Sequence, residues 1–181
     1  MIIWIDGTYG IGKTQVASKV YEKLRDNKIE LLNSDQYYRE IIKEIAIFGG
    51  GTMPQNNKIF LKRFRKIIEE KISDSSKIII IDMAITEMEC KETLFNYIND
   101  KYNNIMHFIL NATFDNIQNR IKHDFNRDRE DALYYLDRNV NFLENNFKNA
   151  IWIDTNNKIA TEVADIIIKH IFREKKKDIS F

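Results

Sequence analysis

Short apolar runs alternate with longer amphipathic stretches along the whole 181-residue chain. The runs are rich in isoleucine and are typical of strands that are buried on both faces of a parallel sheet. They cover residues 1–5, 29–32, 77–82, 105–110 and 150–154. Strands that alternate with helices predict a doubly wound α/β domain. Ligands of such a sheet bind beyond the carboxyl ends of its strands.

Helical periodicity fills the segments between these runs. The first predicted helix ends near residue 26, and the others cover 36–48, 58–72, 86–102, 115–123, 132–147 and 160–173. The chain shows no repeat, low-complexity linker or break in composition. Its length suits one domain, so we predict a single domain over residues 1–181.

The first strand runs directly into the glycine-rich segment GTYGIGKT, residues 7–14. This segment fits the phosphate-binding pattern G-x-x-x-x-G-K-[ST] without a mismatch, and a helix follows it. Backbone N–H groups of such a loop cradle phosphate, and the helix dipole adds to the attraction. Lys13 would contact the outer phosphates, and the Thr14 hydroxyl could bind Mg²⁺. The residues predicted to bind ATP here are Gly7, Thr8, Tyr9, Gly10, Ile11, Gly12, Lys13, Thr14 and Gln15.

Two acidic residues follow predicted strands and are candidates for chemistry. Asp82 closes a run of four isoleucines, where a carboxylate can bind Mg²⁺ together with Thr14, or can cap a turn instead. Asp35 follows the second strand, and it could orient an acceptor hydroxyl and accept its proton. A helix N-cap is an equally good interpretation of Asp35. The adjacent Tyr37 and Tyr38 could stack on a flat acceptor or pack in the core.

Three arginines, Arg120, Arg127 and Arg129, lie between the fourth and fifth predicted strands. A lid of arginines over the phosphates would supply positive charge during phosphoryl transfer and would exclude water. The alternative is a solvated charged loop, because acidic residues are interleaved in the same stretch.

Composition narrows the classes of function and location. The net charge of +1 gives no global attraction to nucleic acid. The one cysteine cannot form a disulfide within the chain, which fits the cytoplasm. No apolar run approaches the ~20 residues of a membrane span. Residues 166–177 are apolar on one side and basic at the end, so peripheral membrane contact is an alternative to a plain C-terminal helix.

Several of these segments resemble the tunicamycin-resistance ATP-binding proteins, which belong to the nucleoside-monophosphate-kinase-like branch of P-loop proteins. The resemblance is most specific over residues 2–15, and further matches lie at 80–85, 107–112 and 151–157. It spans nearly the whole chain but leaves residues 30–72, where relatives recognise the acceptor, without a clear match. The family commonly has an apolar residue or proline at the position of Asp82, so this aspartate is a departure toward Walker B chemistry.

The resemblance implies a sheet with strand order 2-3-1-4-5. It also implies that Asn156 and Asn157 lie in the loop beside the adenine base. We expect an acceptor-binding insertion at about 35–72 and an arginine lid at about 120–131. Monomer and homodimer are both compatible with the sequence.

The leading hypothesis is a phosphotransferase that uses ATP and Mg²⁺ and acts on a small-molecule acceptor. The resemblance implies a uridine-type nucleoside antibiotic such as tunicamycin. The alternatives are a nucleoside-monophosphate kinase and a non-catalytic ATP-binding protein that sequesters a drug. The predicted catalytic residues are Lys13, Asp35, Arg120, Arg127 and Arg129. The predicted metal ligands are Thr14 and Asp82, and Arg120, Asn156 and Asn157 complete the predicted nucleotide site.

Overall fold

The computed structural model describes residues 1–25, 28–45, 53–73, 77–124 and 129–178. At its centre is a five-stranded sheet with the order β2-β3-β1-β4-β5, in which every neighbouring pair is parallel. The strands are β1 (Ile2–Gly7), β2 (Ile29–Asn33), β3 (Ile78–Asp82), β4 (Ile105–Asn111) and β5 (Ile151–Asp154). The predicted fold class and strand order are confirmed.

Helices connect the strands and cover both faces of the sheet. They are α1 (Lys13–Leu24), α2 (Ser34–Ile45), α3 (Lys58–Ile72), α4 (Met88–Cys90), α5 (Tyr97–Tyr102), α6 (Phe114–Lys122), α7 (Arg129–Tyr134), α8 (Leu136–Asn146) and α9 (Ala160–Asp178). A 3-10 turn, Pro54–Asn56, precedes α3, and a π-helical segment, Lys91–Asn96, joins α4 to α5. The predicted bounds of α3 are confirmed to the residue, whereas residues 46–48 of the second predicted helix lie outside the described ranges.

Two helix predictions were wrong at their bounds. The helix predicted at 132–147 is two helices, α7 and α8, with a break at Tyr135. Ala132 and Leu136, on the two sides of the break, pack in the same apolar cluster, whereas Leu143 of α8 packs on the other face of the sheet. The last helix continues to Asp178 instead of ending at Arg173.

The two faces of the sheet bury two separate apolar clusters. Along β1 the side chains alternate, so that Trp4 enters the cluster beneath α3 and α5 while Ile5 enters the cluster beneath α1, α6 and α9. The apolar face of α9 is committed to this second cluster, where Val163, Ile167 and Ile171 are buried. This packing supports a plain C-terminal helix. Within the described ranges, no helix is both long and apolar enough to cross a membrane.

Candidate functional site

The glycine-rich loop connects the central strand β1 to the first turn of α1. A buried carboxylate fixes its start, because Asp6 Oδ1 accepts hydrogen bonds from Gly7 N at 2.6 Å and from Ile85 N at 2.9 Å. The second bond ties the loop to the segment that follows β3. Trp4 adds a parallel link, since its indole donates to the Met83 carbonyl at 3.1 Å. These two hydrogen bonds therefore fix the loop after β1 in position relative to the loop after β3.

Two glycines are needed for the shape of this loop. A Cβ on Gly10 would lie 2.5 Å from Cγ1 of Ile121, so the approach of α6 requires glycine there. Gly12 has φ +98° and caps α1, a conformation that L side chains rarely adopt. The space beside Gly12 is open, since a Cβ there would meet no atom within 4 Å.

Lys13 shows how this loop is suited to an anion. The Lys13 ammonium donates to the carbonyls of Gly7 and Thr8, at 2.9 Å each, and these bonds hold the positive charge over the loop. A positive charge beside a helix N-terminus fits a bound phosphate chain. The Thr8 hydroxyl is buried behind the cavity and, within the described part of the chain, has no hydrogen-bond partner.

Asp82 lies across the loop at the end of β3, where it is 3% exposed. Burial raises the pKa of its carboxyl, and Asp35 adds to the rise, whereas the charge of Lys13 and hydrogen bonding to Thr14 oppose it. Asn33 Nδ2 donates to Asp82 Oδ2 at 2.5 Å. A hard cation prefers such oxygens, so Asp82 and Thr14 fit the donor set of Mg²⁺.

The structure assigns the helix cap of α2 to a residue other than Asp35. Asn33 Oδ1 accepts from Gln36 N at 2.8 Å, which is the capping bond of this helix. Asp35 is the second residue of α2, and its exposed carboxylate lines the same cavity as Lys13 and Asp82. Of the two interpretations of Asp35, the helix cap is the one that the structure does not support.

The neighbouring tyrosines serve the core. Tyr37 packs on Phe64, with ring centroids 5.5 Å apart, and Tyr38 packs edge-on against Phe60 at 5.2 Å. Of the two interpretations of this pair, core packing is the one that the structure favours.

The predicted lid arginines take different positions. Arg120 lines the cavity, and its guanidinium donates to the Ile11 carbonyl at 3.2 Å and to Thr155 Oγ1 and O at 2.9 and 2.7 Å. It thus joins the glycine-rich loop to the segment after β5. Arg129 begins α7, is exposed, and donates to the Lys122 carbonyl at 3.1 Å. Arg127 lies outside the described residues.

Asn156 and Asn157 shape the loop after β5. Asn156 Oδ1 accepts from Thr113 N at 3.0 Å and from Asn116 Nδ2 at 2.7 Å, so it anchors this loop to the start of α6. Asn157 has φ +53° and lines a shallow pocket beside the main cavity. The main cavity is instead lined here by the next residues, Lys158 and Ile159.

These residues surround one cavity of about 760 Å³ at the carboxyl ends of the strands. The glycine-rich loop lies at its middle. We call the part lined by Arg120, Thr155, Lys158 and Ile159 the α9 end, and the part lined by Ser34, Asp35, Pro54 and Gln55 the α2 end. The cavity brings together Lys13, Thr14, Asp35, Asp82 and Arg120, but Arg129, Asn156, Gly7 and Thr8 are not part of its lining.

Sequence reasoning missed a buried pair behind the loop. Asp6 Oδ2 lies 3.1 Å from His107 Nε2, and the His107 ring is packed between Phe95 and Phe147. The available signal was a charged residue inside an apolar strand, directly before the first glycine. The pair braces the carboxylate that fixes Gly7.

Comparison with known proteins gives a match in structure and none in sequence. No protein-family model matches the chain, and no curated protein matches it. A tunicamycin resistance protein from Deinococcus radiodurans superimposes with a TM-score of 0.72 at 19% identity, covering 94% of both chains. A gluconokinase from Sinorhizobium meliloti gives 0.66 at 12% identity, covering 99% of this chain and 97% of that one. A shikimate kinase from Acinetobacter baumannii gives 0.63 at 21% identity, covering 96% and 94%.

The chain has the P-loop kinase-like fold. These likenesses extend over nearly the full length of each protein, so they concern the whole architecture and not the glycine-rich loop alone. The resemblance noted in residues 2–15 is thereby confirmed at the level of the fold.

Proposed function

We propose that the protein is a phosphotransferase that moves a phosphoryl group from ATP, with Mg²⁺, to a hydroxyl of a small-molecule acceptor. One observation carries this proposal. The glycine-rich loop with Lys13, the oxygen donors Thr14 and Asp82, and the exposed carboxylate of Asp35 line a single cavity. A nucleotide-binding switch without an acceptor would not require a carboxylate at the α2 end.

The residues of the loop, with Lys13, would hold the phosphates, and Thr14 and Asp82 would hold the metal ion. When bound, Mg²⁺ would neutralise negative charge on the transferring group. The α9 end would hold the base and ribose, with Arg120 as part of its wall.

The chain's own groups would act mainly by positioning and electrostatics. Asp35 would orient the acceptor hydroxyl and accept its proton. The ammonium of Lys13 would stabilise the charge that develops on the transferring phosphoryl group. Arg127 and Arg129 would belong to a lid that excludes water from the α9 side of the cavity.

A uridine-type nucleoside antibiotic such as tunicamycin is the acceptor class that we propose to test first. The likeness to a tunicamycin resistance protein supports this choice. The likeness to a gluconokinase and to a shikimate kinase supports phosphorylation of a small molecule as the more general activity.

The direct test is mass spectrometry of reactions that contain the protein, ATP, Mg²⁺ and a set of acceptors. The set holds tunicamycin, other uridine-type antibiotics, nucleosides and nucleoside monophosphates. An acceptor that gains one phosphoryl group supports the proposal and identifies its class. A phosphorylated monophosphate would favour the nucleoside-monophosphate kinase instead. Tight binding of tunicamycin without any product would favour a sequestering protein.

A further inference from the structure

The α2 end of the cavity contains a polar side chain that the phosphotransferase proposal leaves unused. Gln55 lines the cavity although it is only 5% exposed. Within the described part of the chain, no hydrogen bond joins its amide to another residue. The amide reaches the open cavity, since the buried side-chain polar atoms left without a partner in the described ranges are those of Thr8 and Arg65. An amide that faces a cavity without a protein partner can exchange hydrogen bonds with water for hydrogen bonds with a ligand.

The backbone holds Gln55 in a defined position. It lies in the 3-10 turn Pro54–Asn56, where Asn56 N donates to the Met53 carbonyl at 3.0 Å. Proline fixes its own φ and so stiffens this turn. Asn57 then caps α3, since its Oδ1 accepts from Phe60 N at 2.9 Å. The amide is therefore presented from a rigid element, which favours selective recognition.

The charges around Gln55 disfavour an anion. The charged group of the described lining at the α2 end is the carboxylate of Asp35, whereas Asp82 lies across the glycine-rich loop, where the charge of Lys13 acts on it. The cations of the described lining lie at the loop and the α9 end, where Arg120 is bonded to Thr155 and Lys158 is 3.2 Å from Asp154. An anionic acceptor at the α2 end would face the carboxylate of Asp35.

Two further arginines do not change this picture. Arg39 lies on α2 but is not part of the cavity lining. Arg138 forms an ion pair with Glu87 and stacks on the ring of Tyr135, so its charge is already matched.

We propose that Gln55 determines acceptor specificity, and that the α2 end selects an uncharged acceptor with hydroxyl or imide groups over an anionic one. An amide offers both a donor and an acceptor, which matches uncharged groups that themselves donate and accept. A monophosphate or a sugar acid would lack a partner for its charge. This inference rests on the proposed phosphotransferase function for its second substrate, but it concerns binding and can be measured without transfer.

The first experiment compares matched acceptors that differ in charge. The pairs are uridine with uridine monophosphate, and glucose with gluconate, each measured for phosphoryl transfer from ATP·Mg²⁺ and for binding beside a non-hydrolysable ATP analogue. We expect the uncharged member of at least one pair to be used or bound at least tenfold better than its anionic partner. A preference below tenfold in both pairs overturns the inference and leaves the phosphotransferase standing.

The second experiment removes the amide. Gln55→Leu should weaken binding of the uncharged acceptor at least tenfold and leave ATP affinity and the melting temperature unchanged, because no protein partner loses a bond. Gln36→Leu is the matched control, since Gln36 is an exposed glutamine of α2 outside the cavity lining. It should change none of these quantities.

The outcomes separate the two proposals. Unchanged acceptor binding in Gln55→Leu, or a melting temperature lower by more than about 4 °C with general loss of binding, overturns the role of Gln55. If the leucine variant does not fold, Gln55→Glu keeps the shape of the side chain and should also weaken binding of the uncharged acceptor at least tenfold. Selective binding of uridine without transfer overturns the phosphotransferase and supports the inference. Neither binding nor transfer with any member of the panel overturns both.

Discussion

The two ends of the cavity are built in different ways. The α9 end and the glycine-rich loop are braced by several bonds between main-chain segments, among them those of Arg120 to Ile11 and Thr155. The α2 end presents an exposed carboxylate, Asp35, and an amide without a described partner, Gln55. Under the proposed function, the braced part would bind ATP, a substrate that many kinases share. The α2 end would bind the acceptor, which differs from one kinase to the next.

The largest expected effect on phosphoryl transfer comes from a substitution in the glycine-rich loop, which lies between the two ends of the cavity. Lys13→Ala should lower phosphoryl transfer by roughly 1000-fold, because it removes the charge that stabilises the transition state. Circular dichroism should show an intact fold. The control Lys19→Ala lies on the same helix and pairs with Glu22 at the surface, so it should leave transfer unchanged. Near-normal turnover in Lys13→Ala would contradict the proposed site.

A substitution at the α2 end should lower phosphoryl transfer less than the substitution of Lys13 does. Asp35→Asn should lower transfer roughly 100-fold through the loss of the proton acceptor, with ATP affinity unchanged. Asp115→Asn is the matched control, because Asp115 is also an exposed acid in the first turn of a helix and lies outside the cavity lining. Steady-state kinetics with both substrates varied would show the effect in kcat. An equal loss in the two variants would remove Asp35 from the mechanism.

A change at the α9 end should affect the nucleotide alone. Arg120→Lys should raise the KM for ATP about tenfold, because an ammonium cannot span Ile11 and Thr155 as the planar guanidinium does. The KM for the acceptor should not change. Arg173→Lys, at an exposed position on α9, serves as the control. A rise in the acceptor KM instead would mean that the two ends are not independent.

The smallest effect concerns stability. Burial raises the pKa of Asp82 above 3.8, so the folded state binds its proton more tightly than the unfolded state does. The free energy of unfolding therefore falls as pH rises from about 3.8 through the raised pKa. The Asp82→Asn variant lacks this loss. Its free energy of unfolding should therefore rise relative to wild type across this pH range, by about 1.4 kcal/mol for each unit by which the pKa of Asp82 is raised.

The control residue, Asp154, has a pKa shift in the opposite direction. Asp154 ends β5 as Asp82 ends β3, but hydrogen bonds from the Asn156 backbone and from Lys158 lower its pKa. Its stabilising contribution is present above the ordinary pKa and is lost as pH falls, so Asp154→Asn should lose stability relative to wild type as pH rises. Urea denaturation without nucleotide or metal, at several pH values, measures both differences. The same trend in both variants would refute the account of Asp82.

The difference between the two ends also explains what the sequence predicts well. The loop at residues 7–14 is contiguous, and the backbone supplies most of its chemistry, so its pattern is visible in the residues themselves. The strand order was available from resemblance and agrees with the sheet. Periodicity did not predict the break at Tyr135, because the apolar pattern continues across it and Ala132 and Leu136 pack in the same cluster.

Residues that meet only in the folded chain escaped prediction. Asp6 and His107 are 101 positions apart, and only the pairing of β1 with β4 brings them together. Gln55 lies in a segment where the resemblance fails, and its burial depends on the turn before α3. The N-cap of α2 is a different case, because the sequence predicted a cap at the start of this helix and the hydrogen bond from Gln36 N assigns it to Asn33.

The most direct test of the central claim is a crystal structure with a non-hydrolysable ATP analogue, Mg²⁺ and uridine. The account predicts phosphates along residues 7–14 beside Lys13, and the metal ion at Thr14 and Asp82. It predicts the base at the α9 end, and a uridine hydroxyl within hydrogen-bond distance of Asp35. A nucleotide base at the α2 end, or phosphates bound away from Lys13, would contradict it.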